Sequence, residues 1–224
     1  MNISLIDARA NKPQPICECY DPSMKSMDRF VNFSDAVMAI AVTLLILPLT
    51  ERASGLRVNS YHAFASAYGH LIFIFLLSFV VICRYWEVHH NLLNSIQTFN
   101  GAMFWLNAFW LLSIVFIPFT SELIGNDSTN SVFINAVYIG SLTLTAYIGF
   151  GIQWLTVHSP ALQKPSSVSS RSASYGLVSA AVMSAALVLA VLVPSLGVWP
   201  LLLLVPASYV ARSLRQKPKV RRSN

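Results

Sequence analysis

The sequence predicts an all-α integral membrane protein with six transmembrane helices per subunit. Three observations lead there. First, 55% of the residues are hydrophobic and only 11% are charged, a balance typical of chains whose main solvent is lipid. Second, the apolar stretches repeatedly reach the roughly 20 residues that cross about 30 Å of hydrocarbon at 1.5 Å per residue. They are too long and too evenly apolar for the alternating strands of a barrel. Third, Lys and Arg gather at alternate ends of these stretches, as the positive-inside tendency requires of an even number of spans.

Residues 1–28 are polar and interrupted by Pro13, Pro15 and Pro22, with no short apolar run followed by small residues. This segment reads as a cytoplasmic tail, not a cleaved signal peptide. Cys17 and Cys19 lie in it, and Cys83 near the end of an apolar run. Without a second ligand pair, Cys17 and Cys19 read as reduced thiols and not as a metal site. The spans fall near Arg29 to Leu49, Ala65 to His89, Ala102 to Ile124, Ser131 to His158, Tyr175 to Val193 and Val198 to Leu214. Pro194, Ser195, Leu196 and Gly197 supply the turn between the last two. Together residues 29–214 form a six-helix membrane domain, and residues 215–224 a basic cytoplasmic tail.

Lys25 and Arg29 precede the first span, Arg84 lies near the end of the second, Lys164 and Arg171 separate the fourth and fifth, and Arg212, Arg215, Lys217, Lys219, Arg221 and Arg222 close the chain. Six spans put all of these on one face, so both termini are expected in the cytoplasm. Arg52 and Arg57 in the first external loop dissent. The net charge of +6 is concentrated beside a hydrophobic segment, which points to anionic headgroups and away from nucleic acid.

Asp35 is the residue least at home in an apolar span, where an ionisable group costs several kcal/mol unless it is paired or wetted. At about 100° per residue, Arg29, Phe33, Ala36, Ile40, Leu44 and Leu47 share one stripe, with Thr43 at its edge. Asp35 lies about 120° from the centre of that stripe and faces neighbouring helices. His89 or His90, Asn94, Asn107 and Arg29 are its available partners, in a polar network tying the first three spans together. The plain alternatives are that the stripe only packs on lipid or helix, and that Trp86, His89 and His90 form an interfacial belt. Gly176, Ala180 and Ser184 give the fifth span a small-residue face for close helix packing, and Trp199 and Tyr209 read as interfacial anchors.

Arg29 followed by Phe33-Ser34-Asp35, then Ala39-Ile40-Ala41-Val42-Thr43-Leu44-Leu45, resembles the signature of the transmembrane protein 175 family of potassium channels in its short prokaryotic form. The likeness continues through Trp86-Glu87-Val88-His89-His90, Asn107-Ala108-Phe109-Trp110-Leu111-Leu112 and Pro118-Phe119-Thr120, and fades beyond residue 124. The resemblance implies a homotetramer in a prokaryotic inner membrane, each subunit carrying one six-helix repeat where animal members carry two. It implies a pore lined by the first helix of each subunit. By motif position the constriction falls on Ile40, with Leu44 and Leu47 further outward and Thr43 contributing to selectivity. Arg29, Phe33, Ser34, Asp35, Trp86, His89, His90, Asn94 and Asn107 would form the structural polar network. K+, and also Rb+ and Cs+, would permeate, with no cofactor and no bound metal.

No Thr-Val-Gly-Tyr-Gly filter occurs in the chain. A ring of isoleucine or leucine cannot replace an ion's hydration shell, so it would gate by dewetting while hydroxyls, retained water and pore electrostatics discriminate weakly against Na+. Two other classes compete. Ser34, Asp35 and His90 have the residue types of a hydrolytic triad, but neighbouring positions on a helix point about 100° apart, and neither a nucleophile elbow nor HExxH is present, so no enzyme is expected. A secondary transporter using intramembrane Asp and His for proton-coupled flux is the stronger alternative, although no inverted repeat or matched pair of broken helices is evident.

Overall fold

The computed structural model describes residues 22–53, residues 61–164 apart from 99, 128 and 130, and residues 171–203 apart from 194 and 196. Helix α1 spans Pro22–Leu44, α2 Leu47–Ala53, α3 Tyr61–Asn94, α4 Gly101–Asn126, α5 Val132–His158 and α6 Arg171–Leu192. Short 3-10 helices cover Pro160–Leu162 and Trp199–Leu203. Among the described residues, four stretches are long and apolar enough to cross a membrane: Ser26–Arg52, Tyr68–Asn94, Gly101–Asn126 and Val132–His158. The fifth expected span corresponds to α6. Of the sixth, Val198 to Leu214, only the beginning is described, and the rest lies outside the described residues together with Tyr209, Arg57, the basic tail and residues 1–21.

Helix α1 begins seven residues before Arg29, inside the stretch expected to be a polar tail. Pro22 is its first residue, where a missing N–H costs nothing and the fixed φ suits a helix. Met27, Phe30, Val31, Ser34, Met38, Ala41 and Leu45 are buried. Their three- and four-residue spacing makes one face, which packs on α3 and α4.

The first span is not the continuous helix expected from Arg29 to Leu49. It breaks at Leu45 and Ile46, whose N–H groups reach back only three residues, to Val42 O at 3.4 Å and Thr43 O at 3.3 Å. Pro48 explains the break: it has no N–H to give Leu44, and its ring crowds that carbonyl. Leu47 therefore opens α2, beyond the break. The Tyr68 hydroxyl holds the end of α2 by donating to Arg52 O at 3.2 Å.

The second span is longer than expected. Helix α3 has 34 residues, about 51 Å at 1.5 Å each, which exceeds the hydrocarbon core. Arg84 consequently sits within the helix, paired with Glu87 at 2.7 Å, and not at its end. Helix α4 starts at Asn100, whose side chain accepts from Met103 N at 2.9 Å, and carries Pro118 internally.

Hydroxyls join the apolar helices. Ser78 pairs with Tyr138 at 2.8 Å, Thr120 with Ser141 at 3.0 Å, and Thr145 donates to Ser113 at 3.0 Å. The Tyr85 hydroxyl donates to Leu142 O at 2.8 Å. In a medium without water such bonds hold helices in register. The small-residue face of α6 packs on α5: a Cβ at Gly176 would meet Gln153 and Phe150, Ala180 is buried, and Ser184 bonds Tyr147 at 2.7 Å. Beyond α3, residues 95–98 pair with 161–164 through Gln97 N to Leu162 O at 2.8 Å and Lys164 N to Ser95 O at 3.1 Å. Lys164 Nζ donates to Asn94 O at 2.8 Å. This clasp ties the C-terminal ends of α3 and α5 together.

Candidate functional site

Helix α1 presents two faces with different chemistry. One is apolar and uncovered: Phe33 is 61% exposed, Ile40 59% and, past the break, Leu47 47%. Arg29, Ala36 and Thr43 are exposed on the same side, and Leu44 is half-buried. The Thr43 hydroxyl donates to Ile40 O at 2.8 Å. Its hydrogen is thereby committed to its own helix, which leaves oxygen lone pairs as the group it can offer outward.

The other face begins at Ser34 and Asp35, adjacent residues that engage different helices. Asn107 Nδ2 donates to Ser34 Oγ at 3.0 Å, and Ser34 Oγ donates to Phe30 O at 3.0 Å. With its amide nitrogen so used, Asn107 turns its carbonyl oxygen to His89 Nε2 at 2.8 Å. Nε2 must therefore carry the proton, which fixes the tautomer. The His89 ring lies flat on Trp110, with centroids 3.7 Å apart and planes inclined by 12°. All four side chains are buried.

Asp35 turns to α3. The Trp86 indole N–H donates to Asp35 Oδ1 at 2.9 Å, and His90 Nδ1 lies 3.0 Å from Oδ2 and 3.2 Å from Oδ1. An ionised carboxylate only accepts, so His90 presents Nδ1–H to it, and a second proton on that ring turns the contact into an ion pair. Both side chains are about one-third exposed.

Of the nine residues expected in the polar network, the structure thus joins six in two groups: Ser34 with Asn107 and His89, and Asp35 with Trp86 and His90. It does not bring Arg29, Phe33 or Asn94 into either. Arg29 and Phe33 belong to the exposed stripe, and the exposed Asn94 contributes its backbone carbonyl to Lys164. Ser34 and His90 are not bonded to each other: Ser34 bonds Phe30 and Asn107, and His90 faces Asp35. Among the described residues no group of three His, Cys, Asp or Glu side chains could hold a metal ion. Trp110 appeared in the sequence only as part of the Asn107-to-Leu112 motif, with no role of its own. Its signal was its place three residues after Asn107, one helical turn along the same face.

An apolar bundle with one buried polar knot and one uncovered apolar helix face defines a multi-pass membrane protein. Residues 29–118 match the family model described as endosomal/lysosomal potassium channel TMEM175. Over that segment, two-fifths of the chain, the sequence is similar to that family. A potassium channel of Chryseobacterium sp. (strain P1-3) is 30% identical over 101 residues, 44% of this chain and 49% of that protein. A potassium channel of Chamaesiphon minutus is 31% identical over 105 residues, 46% and 51% respectively. The human endosomal/lysosomal proton channel TMEM175 is 22% identical over 140 residues, 61% of this chain and 28% of the human one. The matches thus span about half the length of the two bacterial relatives. The crystal structure of a lysosomal potassium-selective channel TMEM175 homolog from Chamaesiphon minutus superposes with a TM-score of 0.67 at 20% identity, covering 84% of this chain and 98% of that one. The bundle has that fold.

Proposed function

We propose that this chain is one subunit of a potassium-permeable cation channel, a homotetramer in which α1 of each copy lines a central pore. The observation that carries the reading is the uncovered α1 face: Phe33, Ile40 and Thr43 lie opposite the face that packs on α3 and α4. The names of the bacterial relatives, both potassium channels, support it. Ile40 would form the constriction, with Leu44 beside it and Leu47 beyond the break at Leu45 and Ile46. A ring of such side chains is dry when narrow and conducts when widened. Above it, Thr43 oxygens would meet a partly hydrated cation, giving weaker K+ over Na+ discrimination than a carbonyl filter and allowing Rb+ and Cs+ through. The two polar groups would brace α1 against α3 and α4. The chain would sit in a prokaryotic inner membrane with both termini cytoplasmic, act by conduction and not by catalysis, and need no cofactor.

A second reading, movement of protons through a channel or a proton-coupled transporter, is favoured by the partly exposed Asp35–His90 pair and by the human relative's name. Recording of the purified protein in planar bilayers, under opposed K+ and Na+ gradients and then under a pH gradient, separates the two. Unitary currents reversing toward the K+ potential support the channel reading. Currents following only the pH gradient support the second, and saturable flux without unitary steps identifies a transporter.

A further inference from the structure

Helix α1 meets its neighbours on opposite sides of the uncovered face. Ser34 bonds Asn107 of α4, and Phe30 lies against Phe104 of the same helix with ring centroids 6.2 Å apart, whereas Asp35 bonds Trp86 and His90 of α3. The face between them is therefore handed, with one flank toward α4 and the other toward α3. At about 100° per residue and centred on Ala36, the α4 flank carries Phe33 and Ile40 at about 60° and 40°, and the α3 flank carries Asn32 and Ala39 at about 40° and 60°. Arg29 lies on the α4 flank, about 20° from the centre, and Asp28 on the α3 flank, about 80° from it. All six side chains are exposed.

The flanks complement each other at three depths. Arg29 and Asp28, Phe33 and Asn32, and Ile40 and Ala39 are consecutive residues, so the members of each pair lie about 1.5 Å apart along the helix. Across each pair the flanks differ in kind: a cation against an anion, then twice a bulky apolar side chain against a smaller one. Among the described residues neither Asp28 nor Arg29 has an ion-pair or hydrogen-bond partner. Copies related by an axis along the membrane normal hold their α1 helices parallel and at one height, each turning one flank to the copy before it and the other to the copy after. Level residues then meet, and a heterologous contact of this kind closes into a ring. An anionic headgroup at this depth would attract Arg29 but repel Asp28, whereas a second copy satisfies both.

We propose that a second copy of this chain occupies the face, docked head to tail: Arg29 pairs with the neighbouring copy's Asp28, and Ile40 rests on the neighbouring copy's Ala39. Resting on the reading of α1 as bordering the central path of a ring, this contact fixes which flank meets which. It also gives the charge at the mouth a balance. A ring of unpaired guanidinium groups beside a cation path would repel the ions, and the neighbouring Asp28 neutralises each one.

Disulfide trapping of the full chain carrying Cys17→Ser, Cys19→Ser and Cys83→Ser tests the order of the flanks. Ala39→Cys with Ile40→Cys in one chain should give a ladder up to the tetramer on oxidation, because every copy then offers a thiol on both flanks. Adjacent cysteines on a helix diverge by about 100° and do not bridge within one chain. Either substitution alone should stay monomeric on denaturing gels, and the two single variants co-expressed should stop at dimers. Independently, Arg29→Asp or Asp28→Arg should lower the tetramer fraction in native mass spectrometry, and the two exchanges together should restore it. Dimers from either single cysteine variant alone, or only monomers from the double variant, overturn the head-to-tail contact while the unaltered chain still runs as a tetramer. A monomeric unaltered chain overturns the ring as well. The charge exchange decides even if a cysteine variant fails to fold: no loss from the single exchanges, or no recovery in the double, overturns the pairing.

Discussion

The indole N–H of Trp86 donates to Asp35 Oδ1 at 2.9 Å, while His90 approaches the same carboxylate from 3.0 Å. The acidic side chain that α1 carries into an apolar span is therefore held by two donors from one turn of α3. Trp86→Phe removes one donor and keeps an aromatic ring. The expected loss is about 0.6 kcal/mol, the average for polar contacts between membrane helices. Asp35→Leu removes the acceptor from both donors and should cost more, about 1–3 kcal/mol. Reversible unfolding in mixed micelles measures both, and equal stability of the two variants would contradict the shared-acceptor geometry.

Asn107 is the centre of the buried group, donating to Ser34 and accepting from His89. Asn107→Leu strands both partners in the apolar interior and should destabilise by about 1–3 kcal/mol for each group left unpaired. Ser34→Ala removes only the end of the chain and should cost less. A double-mutant cycle in the same micelles should give strong non-additivity for Asn107 with Ser34. It should give none for Asn107 with Trp86, which serves the other group. Additive losses in the first pair would show that the three side chains do not act together.

The Thr43 hydroxyl donates to Ile40 O at 2.8 Å, so the methyl and the oxygen lone pairs are what it presents outward. Thr43→Ala deletes that oxygen, and the K+ to Na+ permeability ratio read from reversal potentials should fall. Thr43→Ser keeps it and should retain the ratio. An unchanged ratio in Thr43→Ala removes the threonine from selectivity.

Asp127 follows α4 and closes the next loop by accepting from Thr129 Oγ1 at 2.6 Å, Thr129 N at 2.9 Å and Ser131 N at 2.6 Å. These bonds, the Thr129 hydroxyl first among them, hold its carboxyl below the ordinary aspartate value. A depressed folded pKa means that the loop contributes its full stability above the unfolded value. That contribution is lost as pH falls through the lower folded value. A carboxyl-carbon NMR titration should show a midpoint below that of a free aspartate, and Thr129→Val should move it upward. Coincident midpoints would contradict the hydrogen-bond origin.

Much of this architecture is legible in the chain. Spans three and four, read as Ala102 to Ile124 and Ser131 to His158, lie within two residues of α4 and α5, because polar residues end both apolar runs sharply. The stripe through Phe33, Ala36 and Ile40 follows from 3.6-residue periodicity alone, and so does the turning of Asp35 away from it. What periodicity cannot assign is the partner. Ser34 and Asp35 both leave the stripe, yet their roughly 100° separation sends one to Asn107 on α4 and the other to α3. The break before Leu47 was hidden because the apolar run continues through Pro48 while the helix does not. The length of α3 was hidden for the converse reason: its last turns are polar, so hydropathy falls where the helix persists.

On the proposed reading, the uncovered face of α1 borders the ion path and not lipid. Leu76 of α3 is exposed to a similar extent, 53% against 59% for Ile40, so the two positions separate a pore-facing apolar residue from an equally uncovered one. Single-channel recording of Ile40→Asn and Leu76→Asn in planar bilayers compares them directly. Ile40→Asn should change unitary conductance or open occupancy by wetting the constriction, while Leu76→Asn should conduct like the unaltered protein. Unchanged unitary currents in Ile40→Asn, or equal changes in both variants, would contradict it.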